Sequence, residues 1–274
     1  MILLDGGLST VLEQGGADLS STLWTARLLR DEPERIADAH RAYFRAGARV
    51  ATTASYQATE KGMLTASVRI ARSVRDEFDD PRLMVAASVG PFGAHLADGS
   101  EYRGDYGVPA RTLRDFHAPR FEALAAAGPD LFAVETVPDL REAEVLVELT
   151  EEFGLPGWFS YSVRGGSTCS GQPLAEAYAV LAGCSCLVAA GVNCSSPDDV
   201  LGAVETAVAV TGLPAIAYPN GGGSWDASAR TWNPGRVWDA SLALSWAAAG
   251  ATWIGGCCGV GPDEIAGLAA TLAG

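Results

Sequence analysis

The chain has 274 residues, of which 48% are apolar and 32 are glycines spread along its length, and its formal charge at neutral pH is −14. That length suits one large α/β barrel or two modest domains, and the composition excludes extensive disorder and low-complexity architectures. The acidic balance disfavours binding to a phosphate backbone or an anionic membrane, so neither nucleic acid nor membrane is an expected partner.

Short β-rich runs are predicted at 2–5, 49–55, 83–89, 131–136, 157–163, 187–194, 215–220 and 252–257, each followed by a segment with helical spacing. Pro33 opens one helix and Gly47 closes it, with Ile36, Ala39, Tyr43 and Ala46 on its apolar face. Asp139 with Glu142 predicts a capping box ahead of Leu140, Ala143 and Leu146. Ser196-Pro197, Asn233-Pro234 and Gly261-Pro262 each place a cap before a proline at a first helical position.

Eight strand–helix units in a chain of this size predict a (β/α)8 TIM barrel, a single domain spanning 1–274, with an open doubly wound sheet as the alternative. Two strand-to-helix connections are long. Residues 90–106 carry Asp98, Glu101, Asp105 and two tyrosines, and residues 221–233 carry Trp225 and Trp232. Barrel enzymes build their sites from such loops at the C-terminal strand ends.

The opening residues lack a basic segment followed by a long apolar stretch, and nowhere do ~18 apolar residues run together, so a cytoplasmic protein is expected. There, six cysteines suggest metal ligands, catalytic thiols or buried small residues rather than disulfides. Cys194 ends the sixth predicted strand, and Cys257-Cys258 ends the eighth within Gly255-Gly256-Cys257-Cys258-Gly259. On a closed barrel those ends share one rim, so three thiols can converge on a soft metal such as zinc and leave a fourth position for substrate. A vicinal disulfide or redox pair at Cys257-Cys258 is the rival. Cys169, Cys184 and Cys186 read as packing residues.

Asp5 and Glu135, at the ends of strands one and four, are candidates to hold a substrate ammonium group, with glycine amides for its carboxylate. A cap for Asp5 and an ion pair for Glu135 are the alternatives. The histidines His40, His95 and His117 read as surface or loop residues. No dinucleotide fingerprint, Walker loop or nucleophile elbow occurs.

Together, Asn193-Cys194 and the double-cysteine segment resemble the zinc site of the homocysteine S-methyltransferase family. The resemblance extends to Leu4-Asp5-Gly6-Gly7, to 52–58, to Glu135-Thr136 and to Tyr218-Pro219-Asn220-Gly221. Residues 90–106 look like the branch that uses S-methylmethionine. The resemblance implies a (β/α)8 barrel, zinc on Cys194, Cys257 and Cys258, and homocysteine as acceptor. It also implies Asp5 and Glu135 on the acceptor ammonium, Gly6 and Gly7 amides on its carboxylate, and Asn193 and Tyr56 among the substrate contacts, Tyr56 on the side of a sulfonium donor. No catalytic residue beyond the zinc set is implied. S-adenosylmethionine or betaine as donor and selenocysteine as acceptor stay open, as does oligomeric state.

Overall fold

Each predicted apolar run overlaps a strand: β1 (Ile2–Leu3), β2 (Val50–Thr52), β3 (Met84–Val89), β4 (Leu131–Val137), β5 (Gly157–Tyr161), β6 (Leu187–Asn193), β7 (Ala215–Tyr218) and β8 (Ala251–Ile254). The computed structural model describes residues 1–19, 24–222, 224–226, 231–233 and 238–274. Sequence neighbours are sheet neighbours throughout, all in parallel, and a bridge from Leu4 to Val50 joins β1 to β2 and closes the ring. The architecture is a (β/α)8 barrel, and the doubly wound alternative is excluded by that closure.

Most strands stop short of their predicted C-terminal ends, because the last residues leave the ladder to lace the rim. Gly7 N donates to Val260 O at 2.9 Å, Asn220 N to Ser195 O at 3.0 Å and Cys257 N to Pro219 O at 2.7 Å. Inside the ring, Leu4, Val50, Ile216 and the alanines 86, 133 and 189 pack around Trp158 and Trp253, whose ring centroids are 5.9 Å apart. The alanines admit the two indoles. A second core, including Phe132, Val134, Leu146 and Val192, seals the strands against the helices.

Eleven helices are present among the described residues: α1 (Leu8–Gln14), α2 (Trp24–Asp31), α3 (Pro33–Arg45), α4 (Lys61–Arg75), α5 (Phe92–Leu96), α6 (Ala110–Ala126), α7 (Leu140–Phe153), α8 (Leu174–Leu181), α9 (Pro197–Thr211), α10 (Leu242–Ala248) and α11 (Pro262–Ala273). Ser196 caps α9 through the Asp198 amide, as its sequence predicts. At α7 only half of the predicted box forms. Asp139 accepts from Arg141 N, but Glu142 turns into the core to a set of buried partners. The helix start predicted at Pro234 lies outside the described residues. No helix among those described is long and apolar enough to cross a membrane.

Two histidines correct the surface assignment: His40 in α3 and His117 in α6 are fully buried, while His95 is exposed. Neither ring nitrogen of His40 has a hydrogen-bond partner, and burial lowers its pKa from 6.5 to about 4. A depressed histidine keeps its full stability contribution above pH 6.5, and loses it as pH falls toward 4 because the unfolded chain protonates first. The loss reaches about 3 kcal/mol near pH 4. His40→Leu is expected to flatten the acid limb of a melting-temperature profile between pH 6.5 and 4. An unchanged limb would place the acid sensitivity elsewhere.

Candidate metal and substrate site

The ends of β6 and β8 bring the three predicted thiols together. The Sγ atoms of Cys194, Cys257 and Cys258 lie within 4.8 Å of one another, and those of Cys194 and Cys258 are 3.9 Å apart. Thiolates ~2.3 Å from a tetrahedral metal stand roughly 3.8 Å from one another, so the set fits a metal with little movement. All six cysteines are free thiols, and Cys184 and Cys186 precede β6 at the opposite end from Cys194. Hydrogen bonds from the Cys194 and Cys257 thiols hold Cys258 well below the usual thiol value.

Glycines make this convergence possible. A Cβ on Gly255 would fall 2.5 Å from Leu4 Cβ, and one on Gly7 would fall 2.6 Å from Cys257 O. The loop after β1 is thus pressed directly onto the double cysteine. The Gly7 amide, expected to face a substrate carboxylate, is committed to Val260 O, as the rim lacing requires. Gly6 packs against the same carbonyl, which a Cβ there would meet at 2.3 Å.

Asp5 and Glu135 are buried on this rim, and neither forms an ion pair among the described residues. Asp5 accepts from Thr52 N at 2.6 Å and from Thr52 Oγ1 at 2.9 Å. Glu135 accepts from Ser88 Oγ and, at 3.1 Å, from the Tyr218 hydroxyl, which itself accepts from Trp158 Nε1 at 2.8 Å. Burial pushes both carboxyls up to about 7 against these hydrogen bonds. At that value each carboxyl is close to half protonated near neutral pH, and a cation beside it would favour the ionised form.

Backbone strain marks this rim at β4 and β6. Thr136, after Glu135, and Cys194 adopt left-handed conformations at φ 58° and 47°, unusual for side chains of either kind. Asn193 braces the first: its Oδ1 accepts from Thr136 N at 2.7 Å and from Ser160 Oγ at 2.9 Å, and its Nδ2 donates to Thr136 Oγ1 at 2.7 Å. Fully buried, Asn193 acts on the rim through protein contacts.

Two tyrosines come from the loops of the same rim: Tyr56, after β2, and Tyr102, in a 3-10 turn after α5. The Tyr102 hydroxyl is 3.3 Å from Cys194 Sγ. A buried network that the sequence reading missed ties down these loops. Arg120 donates to the carbonyls of Ala58, Gly90 and Tyr56 at 3.1, 2.9 and 3.0 Å, and to His117 Nδ1 at 3.2 Å. With Nδ1 accepting, His117 is neutral and donates through Nε2 to Glu142 Oε1 at 2.8 Å. Glu142 also accepts from Phe92 N and the Tyr106 hydroxyl. Arg120→Met leaves Glu142 buried without a cation, and is expected to cost about 3–5 kcal/mol in chemical denaturation. A loss below 1 kcal/mol would show that the network is not under charge compensation.

The match with known proteins covers the entire barrel. Residues 2–272 match the family model described as Homocysteine S-methyltransferase. The chain is 42% identical to the homocysteine S-methyltransferase of Escherichia coli (strain K12), over 98% of this chain and 94% of that protein. With YbgG, a homocysteine S-methyltransferase of Bacillus subtilis (strain 168), identity is 39% over the same shares of each chain. The crystal structure of the homocysteine methyltransferase MmuM from Escherichia coli in its metallated form is similar at TM-score 0.89 and 40% identity, over 98% of this chain and 96% of that one. Matched from its first strand to its last helix, the chain belongs to the homocysteine S-methyltransferase family and is a methyltransferase.

Proposed function

We propose that the chain transfers a methyl group from S-methylmethionine to the thiol of homocysteine, with zinc held by Cys194, Cys257 and Cys258. The observation that carries this reading is the meeting of three thiols with two buried carboxyls, Asp5 and Glu135, that lack a cation. The names of the bacterial relatives support the acceptor, and the metallated relative supports a metal. An all-sulfur donor set favours zinc among the common metals, and three protein ligands leave one position for substrate. When bound, zinc would keep an acceptor thiol as thiolate at neutral pH.

The remaining work falls to this chain's residues. Asp5 and Glu135 hold the homocysteine ammonium, which restores both carboxyls to their ionised forms. The Gly6 amide takes the carboxylate, since Gly7 is engaged with Val260. Asn193 and Thr136 fix the backbone beside Glu135, and Tyr56 lines the donor side. Transfer is an in-line displacement in which the acceptor sulfur forms a C–S bond to the methyl carbon as the donor's sulfonium bond breaks. The electron pair stays on the donor sulfur, both products are methionine, and no redox cofactor enters.

On this reading residues 1–274 form one homocysteine-binding domain, working in the cytoplasm where its thiols stay reduced. Competition among S-methylmethionine, S-adenosylmethionine and betaine tests the donor. The highest kcat/KM is expected for S-methylmethionine, and a higher value for betaine would overturn it. Selenocysteine in place of homocysteine tests the acceptor in the same assay.

A further inference from the structure

The rim also carries a carboxylate that the acceptor does not need. Glu101 lies in the turn Ser100–Tyr102, next to the tyrosine whose hydroxyl approaches Cys194. The residue is half-buried, and its Oε2 atom is shielded from solvent without a hydrogen-bond partner. A charged oxygen in that state is costly unless something positive arrives to meet it. The neighbouring cation, Arg103, is exposed and faces Asp98 at 3.8 Å.

Local packing sets this carboxylate in place. A Cβ on Gly93 would fall 2.4 Å from Glu101 N, so only glycine lets α5 press against the turn. A Cβ on Gly90 would fall 2.6 Å from Cδ2 of the Tyr56 ring, so the same short segment also seats Tyr56. Burial pushes the Glu101 carboxyl up to about 7, and burial, then the nearby Glu101 and Cys194, raises the Tyr56 phenol. The three groups are therefore near enough to act on one another's charge.

We infer that Glu101 recognises the positive charge of the methyl donor, holding its sulfonium centre together with the Tyr56 ring. The inference rests on the sulfonium-donor reading above. A sulfonium has no N–H or O–H to donate, so a negative group and an aromatic face are the strongest means a protein has to hold its charge. Glu101 supplies the first and Tyr56 the second, while Asp5 and Glu135 serve the acceptor. The donor loses its charge as the methyl leaves, so this contact is strongest before transfer. Its removal therefore weakens donor binding without slowing the chemical step.

The test is steady-state kinetics of Glu101→Gln with homocysteine and S-methylmethionine. The donor KM is expected to rise about 10- to 100-fold. The homocysteine KM, kcat and zinc content are expected to stay near wild type, the melting temperature is expected not to fall below it, and Glu101→Asp is expected to fall between in donor KM. A second measurement compares S-methylmethionine with the isostere in which carbon replaces the sulfonium sulfur, so that only the sulfonium charge is removed. Wild type prefers the charged ligand, and the Gln variant loses that preference, which mere loosening of the loop does not produce. Wild-type turnover with an unchanged donor KM or an unchanged preference in the variant overturns this inference alone. A wild type that uses no sulfonium donor overturns the donor reading and this inference with it.

Discussion

Cys258→Ser is expected to lose both zinc and turnover while keeping its fold. The Cys258 sulfur stands 3.9 Å from that of Cys194, within the span a shared metal requires. A serine oxygen is harder than sulfur, sits closer to its Cβ, and stays protonated at neutral pH. Two thiols then remain of the three proposed to hold zinc. Losing a residue that only supports a ligand already lowers metal affinity or activity about 10- to 100-fold, so loss of a ligand is expected to exceed that. Zinc per chain and methionine formation, measured under reducing conditions, check this. Cys186→Ser, at the far end of β6, is the control and keeps both. Zinc at wild-type level in Cys258→Ser would remove Cys258 from the ligand set.

Glu135→Gln is expected to impair function while stabilising the protein. Burial raises the Glu135 carboxyl from 4.5 to about 7. A carboxyl raised on folding contributes fully to stability below pH 4.5, and that contribution is lost as pH rises through 7. A glutamine cannot ionise, so above pH 7 the variant regains up to about 3 kcal/mol and melts higher than wild type. On the proposed acceptor reading, the same substitution leaves the homocysteine ammonium facing one carboxylate, Asp5, in place of two. Removing one partner of a buried charge pair costs about 2–5 kcal/mol, so the homocysteine KM should rise on the order of 100-fold. Kinetics and melting curves at pH 8 together make the check. A variant with wild-type homocysteine KM would take Glu135 out of the acceptor site.

The barrel was legible because eight apolar runs alternate with capped helices, and because strand ends on one rim bring sequence-distant residues together. That logic also located Asp5, Glu135 and the three thiols. Their supports were not legible, since Ser88 and Tyr218 reach Glu135 from β3 and β7, a proximity set by the curvature of the sheet. His40 and His117 carried a signal that was passed over. His40 stands four residues after Ile36 and three before Tyr43, and His117 stands midway between Leu113 and Phe121, spacing that puts each on an apolar face. The Gly7 amide shows a different limit. A glycine before a helix reads as an open donor, and only the position of Val260 shows that the donor is taken.

Metal-dependent transfer between two sulfur compounds is tested most directly by removing and restoring the metal. The protein, purified under reducing conditions, is assayed for zinc and for methionine formed from homocysteine and S-methylmethionine, before chelation, after chelation and after zinc is returned. The expected result is near one zinc per chain, two methionines for each homocysteine consumed, loss of transfer on chelation and its recovery with zinc. Undiminished transfer by the metal-free protein would contradict the account.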